Sequence, residues 1–315
     1  MSTTTTRAGA VKGAGRVVRS DASKARRRRQ GIIAWLFALP FVLGFAVFML
    51  FPIVSSFVMS FTDFTSRDVQ NPFAVAFVGV SQYADLFGDP RFIKSMTVTA
   101  YFVVVGIPLT MVVALVLAVA LNSGIEKFRT FFRVGFYTPV VTSIVAIAVV
   151  WKFILQDNGL LNTVLGWVGI DGPNWLNSTT WAMPAMIIMA VWRNMGTLMI
   201  IFLAGLQAIP QEVKEAAAID GANAWTSFRR ITLPLLRPTL LLGAVLLSVG
   251  YLQFFEEPFV MTKGGPLDST LSISYYTFNQ FGFGKYATAS AASYILFVAI
   301  ALLSLVQFRA LRSKD

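Results

Sequence analysis

The chain has 315 residues, of which 56% are hydrophobic and only 13% charged, and its formal net charge is +11. Soluble domains carry about 25% charged residues, so a polar-coated globular protein is excluded and an integral membrane protein is expected. There is no cysteine and no histidine, which removes disulfides, Cys/His zinc sites, histidine-ligated haem and every nucleophile that needs a histidine base. The 15 acidic residues are mostly scattered, so neither an all-carboxylate metal site nor an enzyme is expected.

Residues 1–30 hold nine of the 26 Lys/Arg and end in Arg26-Arg27-Arg28-Arg29. They read as a basic, disordered cytoplasmic tail that anchors the membrane orientation, not as a nucleic-acid arm. The apolar run that follows, from Gly31 to about Phe61, is too long for the ~7–15-residue core of a signal peptide. It is expected to stay as a membrane span.

A spanning helix needs about 20 mostly apolar residues. Six runs qualify, at about 32–58, 97–121, 134–155, 182–207, 238–261 and 288–308. They are continuous rather than alternating, which argues against a β-barrel. Pro40, Pro52, Pro108 and Pro139 fall inside them, as membrane helices allow. The expected fold is all-α and polytopic, with a transmembrane domain over 31–310 and a short cytoplasmic tail at 311–315. Nineteen Lys/Arg fall in the two tails and the loops at 122–133 and 209–237, against five in the other loops. The positive-inside rule therefore puts both termini in the cytoplasm. The outer loops at 62–96 and 262–287 read equally well as partner surfaces or as plain connectors.

The cytoplasmic stretch Ile209–Pro238 between spans four and five is about 30 residues long, whereas helix connections in bundles run ~2–8. Its local chemistry predicts helix, turn, helix. Pro210 suits a first helical position, Glu212 favours the helix dipole, and Glu215-Ala216-Ala217-Ala218 is strong helix former. Gly221 fits a left-handed cap, and a second helix restarts over Ala222–Ile231. Trp225, Phe228 and Ile231 form an apolar stripe that must pack on its own bundle or in a partner's groove.

Glu215-Ala216-Ala217, Asp220-Gly221-Ala222 and Ile231-x-Leu233-Pro234 resemble the EAA loop of binding-protein-dependent ABC importer permeases. Other stretches are similar to the sugar branch, the maltose-permease-like subunits. These are Phe136-Tyr137-Thr138-Pro139, Gly159-x-x-Asn162, Leu203-Ala204-Gly205-Leu206-Gln207-x-Ile209-Pro210 and Thr262-Lys263-Gly264-Gly265-Pro266. The resemblance covers about residues 32–310, with Lys263 standing where many relatives have glycine. It implies a plasma-membrane subunit working with an ATPase dimer, a second, different permease chain, and an extracytoplasmic solute-binding protein. It also implies that Glu215, Ala216, Ala217, Asp220, Gly221 and Ala222 couple to the ATPase. The chain holds no G-x-x-x-x-G-K-[ST] phosphate loop, so no cofactor is expected in it, and ATP and magnesium belong to the partner.

Charged groups within spans cost about 2.5–3.5 kcal/mol on insertion scales and are functional hypotheses by default. Arg193 sits mid-way along the fourth span beside Trp192 and Asn194; Glu256 and Glu257 follow Tyr251 and Gln253 in the fifth. These seven residues are the expected substrate path, since aromatics offer flat apolar faces and amide, carboxylate and guanidinium groups bond hydroxyls. Two alternatives remain at this point. Arg193 could pair with a glutamate simply to hold the helices together, and the glutamates could serve a stand-alone ion-coupled transporter. Two carboxylates beside the path favour a neutral sugar.

Overall fold

The computed structural model describes residues 21–71, 75–123 and 128–311. The first twenty residues and the last four, hence most of the two expected tails, lie outside the described residues. The chain divides into two compact units, Met1–Ser55 and Ser56–Asp315.

In the first unit, α1 (Asp21–Phe45) already takes in Arg26–Arg29, a stretch the sequence assigned to the tail. A five-residue π turn at Ala46–Leu50 leads into α2 (Phe51–Met59). Pro52 accounts for that widened turn, because it lacks the amide that would bond the Phe48 carbonyl and its ring presses on the same group. None of the most apolar window of this span is buried within the chain.

The second unit contains α3 (Ser81–Gly88), α4 (Pro90–Ser123), α5 (Arg129–Val141), α6 (Ile144–Ile154), α7 (Leu160–Trp167) and α8 (Ala182–Gln207). After the short loop helices α9 (Gln211–Ile219), α10 (Ala224–Ser227) and α11 (Leu233–Leu235) come α12 (Arg237–Leu252), α13 (Glu256–Met261), α14 (Ile273–Gly282) and α15 (Tyr286–Leu311). Five helical runs are long and apolar enough to cross a membrane. The third expected span, at 134–155, is not a straight helix. It breaks at Thr142–Ser143 into α5 and α6, which meet at 99°, so the six spans stand only if this bent pair counts as one. Pro139 removes a helical amide near the break, and the Thr142 hydroxyl bonds the Thr138 carbonyl at 3.0 Å in competition with the backbone. Thr142 is then extended, at φ −86° and ψ 147°.

At the centre of the unit lies α8. More than half of its most apolar window (56%) is buried within the chain, against 39% for α4 and 22% for α15. Small residues let the neighbours close in, the rule for helices packed without a hydrophobic drive between them. Gly106 on α4 lies under the Tyr251 ring, and Gly196 on α8 lies against the backbone of Phe136 and Tyr137 on α5.

The loops before α4 and after α13 are knitted to the helix ends. Arg91 makes a bidentate pair with Asp268 at 2.9 Å per bond. The Tyr276 hydroxyl donates to Asp89 at 2.6 Å, the Thr99 hydroxyl accepts from the Ile273 amide at 3.0 Å, and Ser66 N–H donates to the Gly284 carbonyl at 2.8 Å. Burial and then the neighbouring Asp89 carboxylate hold the Tyr276 phenol above its usual pKa. Lys263, the residue out of pattern, lies over the Phe259 ring at 4.2 Å, so its charge is spent on a cation–π contact.

Candidate functional site

Two sets of residues carry the expected chemistry, the loop between α8 and α12 and the spans on either side of it.

In the loop, Pro210 is the residue before α9 rather than its first member. The helix ends in a Schellman closure: Ala222 N–H bonds the Ala217 carbonyl at 2.9 Å and Gly221 N–H the Ala218 carbonyl at 3.1 Å. Gly221 takes φ +76°, the left-handed geometry that glycine adopts without steric cost. That closure uses Ala222, so the second helix starts two residues later than expected. Asn223 caps it, its side-chain oxygen accepting from Thr226 N–H at 2.8 Å. A π turn over Phe228–Thr232 follows, where Pro234 removes the amide that would bond the Arg230 carbonyl. The chain therefore presents a pre-shaped helix pair. Glu215, Ala216, Asp220 and Gly221 are exposed, Ala222 is half-buried, and Ala217 turns inward as the buried side of α9. Ile219 went unnoticed in the sequence. It is 86% exposed at the tip of α9, an apolar knob of the kind that docking surfaces use.

Of the seven path residues, Tyr251 lies within interaction distance of Asn194, Arg193 and Glu257, and Glu257 within that of Glu256 and Arg193. Trp192 faces Trp151 across 5.7 Å and lines a cavity of about 530 Å³ with Thr138, Thr142 and Ile147. Tyr251 instead is buried between α4 and α12. Its hydroxyl is 2.7 Å from that of Thr110, whose own proton goes to the Gly106 carbonyl, so the tyrosine donates. Its ring packs on Phe102, which stacks on Phe254 at 4.0 Å. Gln253 is exposed beyond the end of α12. Asn194 bonds the Ala190 carbonyl of its own helix. Glu257 is 5% exposed, with one carboxylate oxygen lacking a hydrogen-bond partner, and Arg193 has an unpartnered buried Nε. Among the described residues no ion pair within 4.0 Å joins Arg193 to Glu256 or Glu257, although Arg193 and Glu257 are close enough to interact electrostatically. Thr110 and Trp151 were missed; a lone hydroxyl within an apolar span was the available signal for the first. No group of three or more Asp or Glu among the described residues is placed to hold a metal.

Known proteins bear on these features. Residues 22–313 match the family described as binding-protein-dependent transport system inner membrane component. The chain is 35% identical to the lactose transport system permease protein LacF of Rhizobium radiobacter, over 91% of this chain and 97% of that one. It is 34% identical to the arabinooligosaccharides transport system permease protein AraP of Bacillus subtilis, over 87% of each. It is 33% identical to the trehalose/maltose transport system permease protein MalF of Thermococcus litoralis, over 89% and 94%. Among solved structures it resembles a chain of a bacterial ABC transporter that imports the acidic polysaccharide alginate. There the TM-score is 0.76 and the identity 25%, covering 93% of this chain and 99% of that one. These likenesses favour a transport subunit over an enzyme and over a stand-alone ion-coupled carrier.

Proposed function

Because the chain belongs to the family of binding-protein-dependent transport system inner membrane components, we propose that it is one permease subunit of an ATP-driven importer of a sugar or oligosaccharide. A second, different permease chain completes the path, an extracytoplasmic solute-binding protein delivers the substrate, and a cytoplasmic ATPase dimer holds ATP and magnesium. The observation that carries this reading is the exposed, pre-shaped helix pair around Gly221. Glu215, Ala216, Ala217, Asp220, Gly221 and Ala222 form its coupling surface. A short rigid pair passes a rigid-body motion of the ATPase to α8 and α12, the two spans it joins.

The substrate side rests on Trp192, Arg193, Asn194, Tyr251, Gln253, Glu256 and Glu257. Of these, Trp192 with Trp151 offers flat apolar faces to a sugar ring, and Arg193 and Glu257 offer unused polar atoms. Tyr251 acts from behind by fixing α4 against α12. The similar permeases carry the names of lactose, arabinooligosaccharide and trehalose/maltose systems, which supports a sugar. The two glutamates favour a neutral one, although the alginate importer takes an acidic polysaccharide.

The test is a pull-down of the tagged chain from gently solubilised membranes, with mass spectrometry of its companions. An ATPase subunit and a second permease are expected. Glu215→Lys and Gly221→Pro should each strip the ATPase away, and Trp192→Ala should weaken uptake while leaving assembly intact. A lone chain that transports in liposomes under an ion gradient would overturn the reading and direct attention to Glu256 and Glu257 as ion-coupling groups.

A further inference from the structure

The bend between α5 and α6 is more than a change of direction. The limbs meet at 99°, and residues of both line the cavity of about 530 Å³ in which Trp151 and Trp192 lie. That volume falls within the ~300–1,000 Å³ of small-molecule sites. Its apolar side is the two indoles with Ile147 and Val150, and its polar side is Gly135, Thr138 and Thr142. Among the described residues, none that lines it is charged.

Hydrogen bonds decide what fills it. Pro139 has no amide, so the Gly135 carbonyl four residues earlier lacks its helical donor. The Thr138 hydroxyl donates to the Val134 carbonyl at 2.8 Å, and the Thr142 hydroxyl to the Thr138 carbonyl at 3.0 Å. Both protons are committed, and each hydroxyl oxygen has only lone pairs left to offer. The polar side is therefore three acceptors and no donor; the indole N–H groups add at most two donors. An occupant has to bring donors of its own, because an acceptor left unmet away from water costs about 1–3 kcal/mol. An acyl chain brings none. A helix of another chain has its amides bonded within itself. A charged group would find no counter-charge in the lining. A neutral sugar meets every condition, with hydroxyls that donate along one edge and a C–H face for the indoles. Water takes its place when no sugar is bound.

We infer that the notch between α5 and α6 is a hydrated subsite for a neutral sugar, whose hydroxyls donate to the Gly135 carbonyl and to the Thr138 and Thr142 oxygens. This rests on the importer reading above. It adds to the Trp151–Trp192 faces a polar edge that needs no charged side chain and is made by the break in the helix.

The test uses the absence of cysteine from the chain. Thr142→Cys and Val150→Cys, each the only cysteine, are made in the chain purified with its companion subunits and reconstituted into vesicles. Val104→Cys, at a 69% exposed position of α4 outside the notch, is the reference. A charged methanethiosulfonate reacts with thiolates, which water stabilises, so both notch cysteines should label at least roughly tenfold faster than the reference. Equal rates at all three positions would mean that lipid or a partner chain fills the notch, and would overturn the inference. Uptake is then followed with radiolabelled glucose, galactose, arabinose and sucrose, the best transported serving as probe. That probe should slow the labelling of Thr142→Cys. Thr142→Val removes an acceptor and should raise KM roughly three- to tenfold with kcat kept, while Thr142→Ser, which retains the oxygen, should stay within about twofold of wild type. Uptake of a sugar with no protection and no change of KM would overturn this inference alone. Uptake of none of the four would overturn it together with the sugar-importer reading.

Discussion

Replacing Gly196 with alanine tests how α5 and α8 meet. A Cβ at Gly196 would lie 2.8 Å from the Phe136 carbonyl carbon and 3.1 Å from the Tyr137 Cα, and closer still to the Phe136 carbonyl oxygen. All three are backbone atoms, so no side chain can turn aside. Ordinary Cβ contacts begin at 3.4 Å, and α5 would have to retreat by more than about half an ångström or lose its packing. Overpacking of a tight site costs about 1–3 kcal/mol, and a backbone neighbour argues for the upper end. Alanine regains up to about 1 kcal/mol of helix propensity over glycine, which leaves a net loss near 2 kcal/mol. At about 2–4 °C per kcal/mol for a chain somewhat smaller than this one, the melting temperature should fall by roughly 4–8 °C. The control is Gly135→Ala, one residue before Phe136 on the same helix, where a Cβ meets nothing within 4 Å. That variant should melt at or slightly above wild type. Fluorescence-detected size exclusion after a heating series reads both. Equal shifts for the two variants, or a Gly196→Ala protein that melts within about 1 °C of wild type, would refute the close approach of these helices.

Other outcomes follow from the same geometry. Thr110→Val leaves the buried Tyr251 hydroxyl without its acceptor and should cost about 1–2 kcal/mol in thermal unfolding, while Tyr251→Phe, which leaves Thr110 bonded to Gly106, should cost less than about 1. Arg91→Ala removes a bidentate but half-exposed pair with Asp268 and should lower stability by under about 1 kcal/mol, with uptake unchanged; a large loss would make the outer loop a working part of transport. Hydrogen bonds from the Thr65 hydroxyl and amide hold the Asp68 carboxyl below its ordinary pKa. The turn at Ser66–Gln70 should therefore keep its hydrogen-exchange protection above about pH 4 and lose it as pH falls through the folded value, and Asp68→Asn should remove that dependence.

Much of this architecture was legible because hydropathy is additive along the chain. A run of apolar residues announces a span whatever surrounds it, and Gly221 announces a helix end because few other residues tolerate φ +76°. Direction is not additive. Pro108 sits inside a continuous α4, whereas Pro139 precedes a near right-angle break; each is followed by a threonine that bonds the carbonyl four residues back, so local sequence does not tell the two prolines apart. Partnership across the sequence was equally hidden. Tyr251 read as a path residue because of its span and its neighbours, but its hydroxyl bonds a threonine 141 positions away. The loop's order of helix, closure and helix was readable because each part is set within a few residues.

The 99° joint between α5 and α6 also sets the number of times the chain can cross a membrane. Five crossings bring the two termini to opposite faces; only a sixth returns them to the same one. The straight limbs have 13 and 11 residues, about 20 and 17 Å, and neither alone crosses a hydrocarbon core of about 30 Å. Counted as a single passage, the bent pair brings the crossings to six, an even number; turned back on itself, it leaves five. The count is set at Thr142 and Ser143, the two residues between the limbs.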